Sequence, residues 1–341
     1  MDSAHTVAVV TPVYNCAQYV EEALRSIEAQ TRLPQRVVVV DDGSTDGSGR
    51  VAANFAARSR LPLEIVTQPN RGIAAARNAG IERCREDLIA FLDGDDTFYP
   101  TFLARTADAL QRHPELLLCF PDRDVVDAAG NFLRRDLDDA KFRAIASERL
   151  PDGVSVLTEN PFVALIPGSV IPFGLMVRRS AITEVHGFDE EMRAVEDKLF
   201  LMRLARLGKF GFLDMPLATW RRHDTTTTSG AGNAFKNAFY DDLALEKLEQ
   251  ITTRLGLTTD ELAAIRARRR KNAIGLLYTA SDEARSEFFS VVLKLIKEVN
   301  GSAPAPDTVR LAVGALPAPN VDASGLIHIL TTSLFAPETK E

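Results

Sequence analysis

Asp93, Asp95 and Asp96 bring three carboxylates together at the end of the apolar run 88–92, with Gly94 between the first two. Carboxylates this close repel one another and hold their protons more tightly, so a folded chain either solvates them on a turn or neutralises them with a cation. Hard oxygen ligands favour Mg²⁺ or Mn²⁺, ions that usually take one or two protein carboxylates and complete their shell from substrate phosphates. A metal-bridged diphosphate therefore fits the cluster; an acidic strand-to-helix turn with a capping Asp is the reading that needs no ligand. The competing phosphate devices are missing. There is no G-x-x-x-x-G-K-[ST], and Gly43-Ser44-Thr45-Asp46-Gly47-Ser48-Gly49 does not match G-x-G-x-x-G. Pro12 and Tyr14 could wall an apolar slot for a base, and Asp41 could accept a hydrogen bond from a base or ribose; singly, each is equally ordinary strand-end turn chemistry.

These residues need elements to place them on one rim. The β-branched run at 6–10, the all-valine run at 37–40, the run at 63–67 and the run at 88–92 read as strands, and lack of alternation in the valine run indicates burial on both faces. Helical spacing at 18–30 (Val20, Leu24, Ile27) marks a helix, 49–59 and 102–113 read as helices, 68–80 reads as a turn feeding a small-residue helix, and a further strand follows at 116–120. Strand, polar loop and helix thus alternate over the first 120 residues, which predicts an α/β fold with a mostly parallel sheet flanked by helices. Ligands bind such sheets outside the carboxyl ends of the strands, so the loops beginning at Thr11, Asp41 and Asp93 are expected on one rim. From 122 to 165 the pattern weakens, consistent with a mobile or substrate-facing insertion. Regularity returns with a strand at 174–177, a short helix at 178–185 and a helix at 196–207 carrying Asp197 in its first turn, where the helix dipole favours an acid even without a function. A strand at 210–213 leads to Trp220-Arg221-Arg222-His223.

The 341 residues carry a net charge of −7, with 26% charged and 45% hydrophobic residues, ordinary globular usage that argues against broad binding of nucleic-acid phosphates. The amino terminus does not read as a secretory signal, and no stretch reaches the roughly 20 apolar residues of a membrane span. Cys16, Cys84 and Cys119 are odd in number and far apart, as expected of reduced thiols in a cytoplasmic protein.

Four motifs in register, Val10-Thr11-Pro12-Val13-Tyr14-Asn15, Val40-Asp41-Asp42-Gly43-Ser44-Thr45-Asp46-Gly47-Ser48, Asn70-Arg71-Gly72 with Ala76-Arg77-Asn78-Ala79-Gly80, and Phe91-Leu92-Asp93-Gly94-Asp95-Asp96, resemble the family 2 glycosyltransferases of the GT-A fold. The resemblance continues through Gly187-Phe188-Asp189-Glu190, Glu196-Asp197 and Trp220-Arg221-Arg222-His223, covering about residues 5 to 225. It implies inverting transfer of a sugar from a nucleotide donor, usually a UDP-sugar, to an acceptor hydroxyl on a glycan, lipid-linked saccharide or small molecule. Carried over by position, Pro12, Tyr14, Asp41 and Arg77 look like nucleotide contacts. Asp93 and Asp95 look like the D-x-D pair, with Asp95 the metal ligand for Mn²⁺ or Mg²⁺ and Asp93 nearer the ribose. Asp197 looks like the general base, with helix capping as its alternative.

His223 could complete the metal shell or be a loop histidine. Trp220 could be a sugar platform or a core plug, and Glu196 and Arg221 are weaker candidates for acceptor or sugar contact. No Gln-x-x-Arg-Trp follows Asp197, and the family's processive polymerases carry that pattern, so a single addition is expected. Two other classes compete. A nucleotidyltransferase generally needs a glycine-rich, basic first loop, and residues 11–16 hold neither glycine nor a cation; a silent nucleotide-sugar binding scaffold places no demand on Asp95 or Asp197.

The domains expected are a catalytic domain at 1–232, a helical extension at 233–300 and a Pro/Ala-rich linker with a terminal apolar segment at 301–341. Arg266, Arg268, Arg269, Arg270 and Lys271 form a basic cluster that reads as a solvated helix face or as a patch for anionic lipid or an acidic acceptor. The apolar piece at 326–330 could pack on the domain, bury itself in a homodimer or lie at the inner face of a membrane.

Overall fold

The structure, a computed structural model, describes residues 4–136, 147–157, 161–167, 174–223 and 231–278. The linker and apolar segment at 301–341 lie outside them. The chain divides into two compact units, Met1–Thr226 and Thr227–Glu341.

The first unit is built on β1 (Val7–Val13), β2 (Arg36–Asp41), β3 (Leu63–Thr67) and β4 (Leu88–Phe91), which pair in parallel in the order β3-β2-β1-β4. Every residue of β1 and β4 is buried, which is why these strands are apolar on both faces. Three connecting helices, α1 (Val20–Glu28), α2 (Ser48–Ala56) and α3 (Ile73–Arg83), bury mostly small or aliphatic residues in the crossovers, with Phe55 and Arg77 besides. The chain runs on through β5 (Thr97–Phe98) and α4 (Phe102–Arg112) into β6 (Leu116–Val126).

β6 is longer than its apolar start suggests. Asp122, Arg123 and Asp124 continue the strand because β7 (Phe132–Arg135) and the residue after it return opposite charges: Arg135 reaches Asp122 at 3.5 Å and Asp124 at 2.9 Å, and Arg123 reaches Asp136 at 2.6 Å. The weak pattern at 122–165 therefore conceals strands among the described residues. β8 (Ser147–Arg149) and β9 (Val154–Leu157) extend the sheet edge, and α5 (Pro161–Leu165) follows. β10 (Met176–Arg178) runs antiparallel between β4 and β6, so the sheet is mixed beyond its parallel half.

Next come α6 (Arg179–Glu184), α7 (Glu196–Leu204) and β11 (Lys209–Arg221). The strand expected at 210–213 runs on to Arg221 as one long strand, bulged at Leu213/Pro216 and Pro216/Ala218, which carries its carboxyl end to the parallel rim and pairs with β5.

α3 packs closely against β1 through Gly80, where an added Cβ would stand 2.4 Å from Val10 Cγ1. Gly80→Ala is expected to lower stability by about 1–3 kcal/mol through overpacking, read as a drop in Tm.

In the second unit, α8 (Ala231–Gln250), α9 (Thr252–Leu255) and α10 (Thr259–Tyr278) form a helical hairpin. Gly256, at φ +60°, ends α9, and Thr258 with Glu261 opens α10 as a reciprocal cap, with bonds of 2.8 and 3.2 Å. Three arginines of the basic cluster pair within this hairpin. Arg269 is 5% exposed and pairs with Asp242 (3.2 Å) and Glu249 (2.9 Å), Arg266 pairs with Glu249 (2.6 Å), and Arg268 with Asp241 (3.0 Å). Neither a solvated face nor a lipid patch describes these three arginines, whose partners lie on α8 and could not be read from α10 alone.

Candidate active site

The parallel strands end on one rim, and the β1–β4 pairing continues past both strands: Leu92 N donates to Val10 O and Gly94 N to Pro12 O, each at 3.1 Å. A side chain at Gly94 would meet Cys16 Sγ at 2.8 Å and Pro12 O at 3.1 Å, so only glycine lets the acidic turn lie this close to β1. The turn closes with Asp96 N donating to Asp93 O, 3.1 Å, and its three carboxylates then part. Asp93 accepts from Arg77. Asp96 is buried and accepts from Arg221 N at 2.8 Å. Asp95 faces His223, with Oδ2 3.0 Å from Nε2.

Burial raises the Asp95 carboxyl above its ordinary range, and the charge of Asp93 adds to this while His223 opposes it. Asp96 is raised further, first by burial and then by Asp95 and Asp93. A divalent cation would relieve this crowding. Among the described residues no group of three His, Cys, Asp or Glu side chains could hold a metal. Asp95 and His223 thus offer two donors, which fits an ion that draws the rest of its shell from diphosphate and water. Cys16 is buried beside them, its thiol pushed up to about 12 by burial and then by Asp95; all three cysteines are free.

On the neighbouring strands, Asp41 accepts from Ser44 N at 2.9 Å, and its Oδ2 would lie 2.1 Å from a Cβ at Gly49. Tyr14 is 52% exposed on the rim and free to stack, and Asn15 Oδ1 accepts from Thr45 N at 2.8 Å, joining the first two loops. Asp42 gathers the third loop, accepting from Gln68 Nε2, Arg71 N and Gly72 N at 2.7–2.9 Å.

Asp197 sits half-buried in the first turn of α7, where its Oδ1 accepts from Lys198 N at 2.7 Å. Val195 precedes this acidic pair at φ +60°, strained for a β-branched residue. Glu196 is buried, and its Oε1 accepts from Arg77 Nη1 at 2.7 Å, while Arg77 Nη2 lies 2.9 Å from Asp93 Oδ1. Arg77 therefore joins the Asp93–Asp96 turn to the helix bearing Asp197.

Arg221 is 3% exposed and uses its guanidinium internally, on Asp95 O (2.9 Å), Ala128 O (3.2 Å) and Glu22 Oε2 (2.8 Å), while its backbone holds Asp96. Trp220 is half-buried under two guanidinium groups, Arg123 at 4.5 Å and Arg222 at 5.5 Å from its ring centre. Sequence reasoning missed Tyr19, whose ring lies 4.8 Å from that of His223 and beneath Arg221 at 5.0 Å. Its position just before α1 gives no spacing signal. It also missed Asp42 and Asp96 as the residues that hold the loops; both were visible only as extra acids beside stronger candidates.

Residues 8–160 match the family described as Glycosyl transferase family 2. An uncharacterized glycosyltransferase of Nostoc sp. is 28% identical over 233 residues, covering 67% of this chain and 68% of its own. Other curated relatives are matched over less of their length, 62% for the uncharacterized glycosyltransferase EpsJ of Bacillus subtilis. Among solved structures, S. aureus TarS 1–349 in complex with UDP superposes with a TM-score of 0.58 at 15% identity, covering 98% of this chain and 93% of that one. The mannosyltransferase PcManGT from Pyrobaculum calidifontis, in complex with GDP-Man and Mn²⁺, superposes with a TM-score of 0.56 at 18% identity, over 99% and 89%. At such identities the likeness is one of fold. Over residues 8–160 the first unit thus carries the sequence signature of a family 2 glycosyltransferase, on the GT-A fold it shares with these two structures.

Proposed function

We propose that the domain transfers a single sugar, with inversion, from a nucleotide-sugar donor to a hydroxyl of a glycan, lipid-linked saccharide or small acceptor. The observation that carries this reading is the Asp93–Arg77–Glu196 chain of contacts, 2.9 and 2.7 Å, which ties the Asp93–Asp96 turn to the Glu196–Asp197 pair. Pro12 and Tyr14 would pack against the base, and Asp41 and Asp93 would accept hydrogen bonds from base and ribose. Asp95 and His223 would hold a divalent ion, which when bound supplies positive charge for the departing diphosphate. Asp197 would take the acceptor's proton as the hydroxyl attacks the anomeric carbon on the face opposite the diphosphate. TarS is seen with UDP and with UDP-GlcNAc, and PcManGT with GDP-Man and Mn²⁺, which supports a nucleotide-sugar donor and a metal here. A UDP-sugar is the first donor to test.

The deciding experiment is a hydrolysis screen over UDP-, dTDP- and GDP-sugars with Mn²⁺, Mg²⁺ or chelator. One donor class is expected to release sugar, and chelator is expected to suppress release by about 100-fold or more. Turnover indifferent to chelator would remove the metal. No release from any donor would remove the transfer reading.

A further inference from the structure

Arg77 is 2% exposed, and its guanidinium spans from Asp93 (2.9 and 3.2 Å) to Glu196 (2.7 Å) over the ring of Phe188 at 5.3 Å. Phe188 in turn stacks on Phe200 of α7 at 4.1 Å and meets Phe91 of β4 edge-on at 5.5 Å. The segment that leads into α7 is fastened to the loop and helix that carry Arg77. Asn78 exchanges bonds of 2.9 Å with the Phe188 backbone, Arg71 pairs with Glu190 at 2.6 Å, and Arg193 donates to Arg71 O at 2.6 Å. An added Cβ at Gly187 would stand 2.6 Å from Asn78 Oδ1, so the backbone itself is part of this joint.

Resting on the glycosyl-transfer reading above, we propose that Arg77 and Glu196 are a buried positioning couple: Arg77 acts by fixing the α7 turn that carries Asp197 against the Asp93–Asp95 loop, not by touching the nucleotide. A guanidinium fork can hold two carboxylates on two elements at once, which a lysine ammonium cannot do with the same geometry. The couple also titrates in a useful range. Glu196 is pushed up to about 7 by burial, with Arg77 opposing and Asp197 adding to the rise. The charged groups around Glu196 are Arg77 from α3, Asp197 on its own helix, and Asp93 at the far end of the fork. Lys198, next along α7, directs its ammonium to Ile166 O at 3.0 Å. As pH falls through about 7, Glu196 takes a proton and the bond to Arg77 loses its charge assistance. Turnover is therefore expected to fall over that interval while nucleotide binding does not.

The test uses the full chain with Glu196→Gln and Arg77→Lys, UDP and GDP binding by calorimetry, and kcat and KM of donor hydrolysis from about pH 5.5 to 9. Both variants are expected to bind nucleotide within about twofold of wild type and to lose about 10- to 100-fold in kcat, the double variant losing no more than the worse single one. Glu196→Gln is also expected to abolish the inflection near pH 7. An inflection that persists in Glu196→Gln, or nucleotide affinity that falls in step with kcat in Arg77→Lys, overturns the couple. Should the wild type release no sugar from any donor, the transfer reading fails by itself and thermal unfolding decides the couple. A carboxyl raised from 4.5 to about 7 on folding contributes stability below 4.5 that is lost as pH rises through about 7. Glu196→Gln is expected to remove that loss, so its Tm relative to wild type should climb across the interval; parallel curves would show that Glu196 is not the buried titrating group.

Discussion

Asp197→Asn is expected to lower kcat for transfer by about 10³-fold, within the 10²–10⁴ range of a removed general base, while leaving nucleotide affinity nearly unchanged. The asparagine is isosteric and can still accept the 2.7 Å bond from Lys198 N, so the first turn of α7 keeps that contact. What it cannot do is take a proton. Steady-state kinetics beside a UDP titration separates the two effects. Robust transfer by this variant would mean that another group deprotonates the acceptor, and Glu196, buried against Arg77, is poorly placed to replace it.

The second large effect is expected at Asp95. Asp95→Asn should reduce metal-dependent turnover by about 10²–10³-fold and raise the concentration of Mn²⁺ needed for half-maximal rate, because the ion would lose its one carboxylate ligand of the pair. Stability should not fall with it. Asp95 is crowded by Asp93 and Asp96 in a buried turn, and removing one of three like charges relieves repulsion, while the amide oxygen can still meet His223 Nε2 at about the 3.0 Å now seen. A variant that loses turnover but keeps or raises its Tm without metal distinguishes a ligand from a structural acid. Asp96→Asn makes the contrast. Asp96 holds the Arg221 backbone at 2.8 Å, and an amide turned the wrong way would break the join between the acidic turn and β11.

Much of this site was legible in the sequence because its residues sit at the ends of unusually clear strands. Valine runs closed by Asp41 and an apolar run closed by Asp93 announce both the buried parallel strands and the rim on which their loops must meet. The helix that carries Asp197 was legible from its apolar spacing, whereas the role expected of Asp197 came only from the resemblance of the Glu196-Asp197 pair. The long carboxyl-terminal parts of β6 and β11 were not legible. Their strand character depends on cross-strand partners such as Arg135 for Asp124 and Thr97 for Thr219, which local alternation does not encode. Arg266, Arg268 and Arg269 of the basic cluster on α10 show the same limit: they look free until α8 supplies Asp241, Asp242 and Glu249. Arg77 shows the limit most sharply. The resemblance of the motif around it implies a nucleotide contact, yet its burial and its two carboxylate partners show it inside the joint between the Asp93–Asp96 turn and α7.

The most direct measurement is a crystal structure with UDP and Mn²⁺, with data collected at the manganese absorption edge. The anomalous peak is expected between Asp95 and His223, with the diphosphate against it, the ribose near Asp93, and Asp197 across the same hollow. A nucleotide bound away from the Asp93–Asp96 turn, or Asp197 opening onto a different surface from the manganese, would contradict a transfer run between these two sets of carboxylates.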